Sequence, residues 1–176
     1  DQTPNPNFDP TAPTNPINWP QYAGGFGHVE SDYMLLQVGF TWAYAISDKF
    51  SIGLQPNFNY ASLSLEPNPL ASPFDSQGNQ VGYPKGDATA TGFGGQIGLF
   101  YDSLNGFKIG ASYKSQQYFS DLDFDNESIL QPGADAENVK FTMNYPAIYS
   151  IGIGYSKSIV DFALDYRYVD YESTDG

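Results

Sequence analysis

Three cations stand among small polar residues and could bind an acidic group. Lys108, Lys114 and Arg167 belong to a set of only 7 Lys and Arg residues in a chain of 176. A carboxylate that has left bulk water needs a charged hydrogen-bond donor of this kind. We expect these three residues, together with Gln96 on the same kind of face, to contact a ligand.

Lys114 and Arg167 are expected at similar heights on two strands separated by one neighbour. At about 4.8 Å between adjacent strands, the two residues would lie about 10 Å apart. Their side chains could then flank one anion. The alternative is an ion-pair network in which the same cations bind Asp161 and Asp165.

Acidic residues recur at every second position at Asp121, Asp123 and Asp125. Carboxylates at this spacing could chelate Ca²⁺, which prefers oxygen ligands. The EF-hand pattern fails, because Asn126 stands where glycine is required and Pro132 where glutamate is required. A solvated acidic segment explains the same spacing. We therefore assign no metal and leave calcium binding in this segment open.

The sequence contains few of the histidine and cysteine residues from which catalytic sites are often built. It holds one histidine, His28, and no cysteine, so catalytic devices that combine these residues have almost no members. No phosphate-binding loop or dinucleotide fingerprint is present. We predict neither an enzyme nor a cofactor. Because the net charge is −13, no nucleic-acid partner is expected either.

Alternating apolar and polar residues predict six β-strands that would position these side chains. The strands fall at 33–46, 50–60, 93–101, 107–116, 144–155 and 160–168. Residues 1–32 are rich in Pro and Asn and predict a loop or arm, whereas 33–176 predict the stranded segment. Two long loops are predicted within it, at 64–91 and 118–140. Pro56 cannot donate to a ladder, which predicts a bulge or break in pairing.

The strand pattern favours a transmembrane antiparallel β-barrel. The polar faces carry Gly, Ser, Gln, Asn and Thr with few charges, as on the wall of a lumen. Aromatic residues gather near strand ends, which is typical of an interfacial girdle. Short turns alternate with long acidic loops, as do the periplasmic turns and extracellular loops of outer-membrane barrels. We expect outer-membrane lipid around the strands; a soluble barrel or sandwich is the alternative.

The number of strands sets a further expectation. An outer-membrane barrel needs at least about eight strands, and an open edge in lipid leaves backbone groups unpaired. We therefore expect the chain to be a segment of a larger barrel. The alternative is that it contributes to a barrel built from several chains.

Several strands resemble those of FadL-type long-chain fatty acid transporters of the outer membrane. The segment Tyr-Pro-Ala-Ile-Tyr-Ser-Ile-Gly-Ile-Gly-Tyr at 145–155 is similar to a family strand that reads LP…SLGVAY. The other similar segments are 46–53, 93–101, 107–115, 121–125 and 163–168. The resemblance covers most of residues 33–172.

The resemblance implies a fourteen-stranded barrel plugged by an N-terminal hatch. It also implies uptake of hydrophobic small molecules, such as long-chain fatty acids, that extracellular loops capture. Apolar residues of the 64–91 loop region could form the capture groove or pack on themselves; they are Leu63, Leu65, Leu70, Phe74 and Tyr83. Two other functions stay open. One is a non-transporting barrel that binds envelope protein partners, and the other is a general porin, for which the polar faces carry little charge.

Overall fold

The computed structural model describes residues 19–134 and 136–174 as β-strands and connections, with a 3₁₀ turn at Gln21–Ala23. The strands are β1 (Glu30–Gly39), β2 (Trp42–Ser47), β3 (Phe50–Glu66), β4 (Lys85–Asp102), β5 (Phe107–Lys114), β6 (Tyr118–Phe119), β7 (Leu122–Glu127), β8 (Val139–Phe141), β9 (Ala147–Lys157) and β10 (Val160–Asp170). Most of the arm predicted at 1–32 lies outside the described residues. Within the described ranges, no helix is long and apolar enough to cross a membrane.

Six strands follow one another in a sheet, in the order β1-β3-β4-β5-β9-β10. The pairs β4–β5, β5–β9 and β9–β10 are antiparallel and keep a constant register along their length. β2 follows β1 in the chain and pairs with the same neighbour, β3. The prediction of an antiparallel all-β fold with six main strands is confirmed.

Pro56 explains why β1 and β2 are separate strands. The backbone N–H of Phe40 donates to the carbonyl of Pro56 at 3.2 Å. Pro56 has no N–H with which to return a bond, so regular pairing stops at Phe40 and Thr41. The predicted break in pairing is confirmed. It falls on the partner strand, while β3 itself continues through the proline.

The described residues fall into two compact units. The wall unit, as we name it, holds 36–60, 91–120 and 142–174. The loop unit holds 19–35, 61–90 and 121–141 without residue 135. β1, β3 and β4 contribute residues to both units, and β3 and β4 are each longer than the strand that the sequence predicts.

The loop unit contains more β-structure than expected. β3 extends to Glu66 and β4 begins at Lys85, so strands occupy both ends of the segment predicted as a loop at 64–91. β7 lies inside the segment predicted as a loop at 118–140, and β8 begins in it. From Lys85 to Thr91, exposed residues alternate with buried Gly and Ala. The alternation of apolar and polar residues does not reveal this part of β4, because its buried side carries only small residues and no bulky apolar one.

The loop unit has its own small core. Leu122 and Phe124 of β7 are completely buried, and Asn68 and Asn126 are buried beside them. The amide of Asn68 donates to Oδ1 of Asn126 at 3.0 Å, and Nδ2 of Asn126 donates to the carbonyl of Glu137 at 2.6 Å. Buried amides that find partners in this way hold a single arrangement of the backbone.

A β-bulge in the wall unit changes the face on which residues after β5 lie. Gln96 is paired with Lys114, whereas Phe93 is paired with Tyr118, so three steps along β4 match four on the other side. The extra residue interrupts the alternation between the two faces. As a result, the side chain of Gln117 is buried and lies directly against Gly94.

Gly94→Ala tests this close contact. A Cβ at Gly94 would collide with the side-chain amide of Gln117, which would have to shift and strain its hydrogen bonds with Asn59 and the carbonyl of Ser115. We expect the free energy of unfolding to fall by about 1–3 kcal/mol, measured by urea titration of the membrane-inserted protein. Gly98→Ala is the matched control, since a Cβ there meets nothing closer than 3.8 Å. Equal losses in both variants would contradict the proposed contact.

Candidate functional site

One face of the wall unit is a continuous apolar surface. The cross-strand registers of β4, β5, β9 and β10 place its side chains in four rows. The rows are Ile97–Tyr113–Tyr149–Tyr168, Leu99–Ala111–Ile151–Tyr166, Tyr101–Ile109–Ile153–Leu164 and Phe107–Tyr155–Phe162. None carries a charge, and most are exposed, with Tyr166 65% exposed and Leu164 58%. An exposed apolar surface of this extent marks contact with lipid or protein rather than water.

One charged residue marks each end of this surface on β9 and β10. Above the tyrosine row, alternation places Asp170 opposite Ala147, and at the other end Lys157 is paired with Val160. The stretch from Ala147 to Lys157 covers roughly 25 Å of height, at about 3.3 Å per residue and a tilt of about 40°. That is about the height of the apolar band on outer-membrane barrels. The aromatic rows lie just inside its two borders, as an interfacial girdle does.

The opposite face of the same strands is small and polar and lines an open concavity of about 750 Å³. Glycine and serine are the most common residues in the lining. They occupy the positions that alternate with the apolar rows and therefore face the concavity. The inward positions that line it are Ala43, Ser51, Gly53, Gly98, Phe100, Lys108, Gly110, Ser112, Ser150, Gly152, Gly154, Asp165 and Arg167, of which Phe100 is the one large apolar side chain. With few long side chains inside, the strands leave a space that water or a ligand can enter.

Lys108 and Arg167 both line the concavity, and their role as ligand contacts stays a prediction. Lys108 has its ammonium 3.8 Å from the carboxylate of Asp102, its register partner on β4. Arg167 forms no ion pair with any residue that the structure describes. Neither Asp161 nor Asp165 pairs with a cation within the described ranges. The described residues therefore do not show the alternative prediction, an ion-pair network of these cations with Asp161 and Asp165.

Lys114 lies farther from Arg167 than the sequence suggests. Arg167 is paired with Ser150, which is paired with Ser112, so Arg167 is level with Ser112 and not with Lys114. Two residues along the strand and two strand spacings separate the two cations by roughly 12 Å. The expectation of similar heights is wrong, because it counted residues from each turn without the actual register. Gln96, the fourth predicted contact, is the direct neighbour of Lys114 on β4.

A cluster of amides holds Lys114 in place. The Lys114 ammonium donates to Oε1 of Gln37 at 2.9 Å and lies 5.8 Å from the centre of the Tyr145 ring. Gln37 donates to Oδ1 of Asn59 at 2.6 Å, and Asn59 donates to Oε1 of Gln117 at 3.0 Å. Lys114 is thus bound to the wall unit itself, whereas Arg167 keeps its charge available.

Two more amides extend the cluster and were missed as functional candidates. Gln55 donates to Oδ1 of Asn57 at 2.7 Å and accepts from the hydroxyl of Thr41 at 2.6 Å. Asn57 is 2% exposed, and its Nδ2 has no partner among the described residues. The sequence signal is the run of amides at 55, 57 and 59, all on one face of β3. The contribution of Gln117 had no such signal, because it depends on the bulge.

The acidic segment forms an ion pair in the loop unit. Lys140 lies 2.7 Å from the carboxylate of Asp123, across the β7–β8 ladder. Across the described ranges, no three acidic, His or Cys side chains lie close enough together to hold a metal ion. Of the apolar residues named for a capture groove, Leu70 and Phe74 are exposed. Tyr83 packs edge-on against Phe26, with ring centres 4.7 Å apart.

A second ion pair of the loop unit links β4 to β7. The charged atoms of Lys85 and Glu127 lie 3.1 Å apart, and Glu127 also accepts the N–H of Gly133 at 2.7 Å. The bond from Gly133 and then Lys85 lower the pKa of Glu127 below its ordinary value. The hydrogen bond and charge of Glu127 raise the pKa of Lys85 above its ordinary value. Both groups are exposed, so solvent weakens the pair.

An apolar face of membrane height, backed by a small polar face around a concavity, defines the wall of an outer-membrane β-barrel. The family model described as "Outer membrane protein transport protein (OMPP1/FadL/TodX)" matches residues 16–173. The chain belongs to this family. The predicted FadL-type resemblance and outer-membrane location are confirmed.

Known relatives agree with this assignment. The long-chain fatty acid transport protein of Escherichia coli O6:H1 is 22% identical over 82% of this chain and 39% of its own length. The toluene transporter TbuX of Ralstonia pickettii has a TM-score of 0.61 at 21% identity, over 81% of this chain and 42% of its own. The monoaromatic hydrocarbon channel CymD has a TM-score of 0.56 at 20% identity, over 85% and 48%. At such identities the solved structures support the fold alone, and this chain spans less than half the length of each relative.

Acid is expected to loosen the loop unit around Glu127. A carboxylate with a lowered pKa contributes stability above its ordinary pKa, and loses that contribution as the pH falls through the lowered value. The raised pKa of Lys85 matters at alkaline pH instead. The stability that Lys85 contributes is lost only as the pH rises through that raised value. Glu127→Gln should therefore reduce the protection of the Gly133 amide at neutral pH and weaken its dependence on acid, as measured by hydrogen exchange.

Glu172→Gln provides the control for this measurement. Glu172 is exposed in the wall unit and forms no ion pair with the residues that the structure describes. Its replacement should leave the exchange of Gly133 unchanged at every pH. Equal protection of Gly133 in the wild type and in Glu127→Gln would count against the role of this carboxylate.

Proposed function

We propose that this chain forms part of the wall of a passage through which hydrophobic small molecules cross the outer membrane. The observation that carries the proposal is the open concavity of about 750 Å³ on the glycine- and serine-rich face of the strands. Membership of a family of outer-membrane transport proteins supports it. In the same proposal, the long acidic loops face the exterior and the short turns face the periplasm, as is usual for such barrels.

The names of the relatives suggest two classes of ligand. One relative is named for long-chain fatty acids, which carry a carboxylate, and others for toluene and monoaromatic hydrocarbons, which are neutral. Arg167 favours the first class for this chain. Arg167 lines the concavity and forms no ion pair with the described residues, so its guanidinium is available to bind a carboxylate with two parallel hydrogen bonds. Lys108 and Lys114 have protein partners and are proposed as secondary contacts, with Gln96 beside Lys114.

Deletion of the whole gene tests the proposed transport. We expect the deletion strain to take up less labelled long-chain fatty acid than its parent, and a plasmid copy to restore uptake. If uptake of both fatty acid and toluene were unchanged, transport would be refuted. A stable envelope protein partner recovered with the barrel would then favour the structural alternative.

Arg167→Gln separates the two ligand classes. A charged hydrogen bond contributes about 1.5–3 kcal/mol, so its loss should lower fatty acid uptake by about tenfold or more. Toluene uptake should not change, because the ligand has no charge for the guanidinium to bind. Lys157→Gln is the matched control, since Lys157 lies at a turn and does not line the concavity. Equal losses for fatty acid and toluene would contradict a role for Arg167 in binding the acid.

A further inference from the structure

One short side chain interrupts the apolar face of the wall unit. In the second row, Ala111 lies between Leu99 on β4 and Ile151 on β9. Every other member of the four rows is aromatic, leucine or isoleucine. The rows above and below it are filled on the same strand, by Tyr113 and Ile109. Ala111 therefore leaves a hole in a surface that is otherwise built from large side chains.

The hole is a groove of about 370 Å³. Its walls are the side chains of Ile97, Leu99, Tyr113, Tyr149, Ile151 and Tyr166, with Ala111 at its floor. The β-ladders on both sides of β5 occupy the backbone hydrogen-bonding groups there. The groove thus offers dispersion contacts and almost no hydrogen-bonding groups to whatever fills it.

We propose that this groove holds one acyl chain of an outer-membrane lipid as an ordered, repeatable contact. The family places the strands in the outer membrane, so hydrocarbon is the medium that covers this face. An apolar cavity of about 150 Å³ is large enough to take up benzene, so a groove more than twice that size accommodates a segment of a lipid chain. The proposal concerns the outer surface of the barrel and does not depend on what the concavity transports.

The position of the groove fits a lipid better than a protein side chain. It lies next to the row of Tyr113, Tyr149 and Tyr168, whose tilted rings follow one another across three strands with centres 4.9 and 6.1 Å apart. Tyrosine at this depth keeps its ring among the acyl chains and its hydroxyl near the headgroups. A chain anchored at that row would enter the groove directly. The four rows offer no charged side chain with which a protein partner could set its register.

Photolabelling can locate the chain. The purified protein would be reconstituted in vesicles of phosphatidylethanolamine that carry a photoreactive group on one acyl chain, and labelled residues would be mapped by mass spectrometry. We expect labels to concentrate on Ile97, Leu99 and Ile151. Ala111→Phe fills the groove and should abolish this concentration. Ala111→Leu gives the same readout with a smaller side chain if the phenylalanine variant does not assemble.

Leu164→Phe is the matched control, because it enlarges a side chain on the same face that does not line the groove. Its labelling pattern should equal that of the wild type. Labels spread evenly over all four rows in the wild type would overturn the proposal and indicate bulk lipid only. Loss of labelling when a co-purified protein is present, with recovery after its removal, would overturn it in favour of a protein occupant.

Discussion

Backbone hydrogen bonding is the constraint on which this structure depends. Hydrocarbon offers no partner to an N–H or a carbonyl, so a segment that crosses it must satisfy every such group internally. The constant registers of β4, β5, β9 and β10 meet that requirement along the three ladders between these strands. Once the ladders are fixed, the pairing decides on which of the two faces each side chain lies. The apolar surface and the small polar concavity are therefore two results of a single pattern of pairing.

Sequence was sufficient for the features that depend on alternation. It predicted the six main strands, the antiparallel fold and the break at Pro56, because each follows from residue types at neighbouring positions. It did not predict the relative heights of Lys114 and Arg167. Their relative heights depend on how β5, β9 and β10 are aligned with one another. A shift of two residues along one strand moves a charge by about 7 Å. The distance between two candidate contacts is thus set by register, which the sequence of either strand alone does not contain.

The features that sequence missed share a physical cause. The buried side of β4 near Ala88 and Ala90 is made of residues too small to register as apolar. Gln117 is placed by a bulge, which reverses the rule used to assign faces. The loop unit is held by buried amides such as Asn68 and Asn126, which a hydropathy pattern assigns to solvent. In each case, burial comes from geometry rather than from apolar character.

The glycines that line the concavity have a consequence for how this protein family can change. A glycine presents only backbone to the concavity, so the width of the concavity at that level is set by the strands themselves. Replacing one by a larger residue narrows the interior at that height and leaves the lipid-facing row untouched, because the two faces share no side chain. Gly110 and Gly154, where an added Cβ would meet nothing closer than 3.7 Å, are open to such a change, whereas at Gly152 the side chain of Asp165 occupies the space. The width of the concavity and the apolar face toward lipid can therefore change independently in evolution, one position at a time.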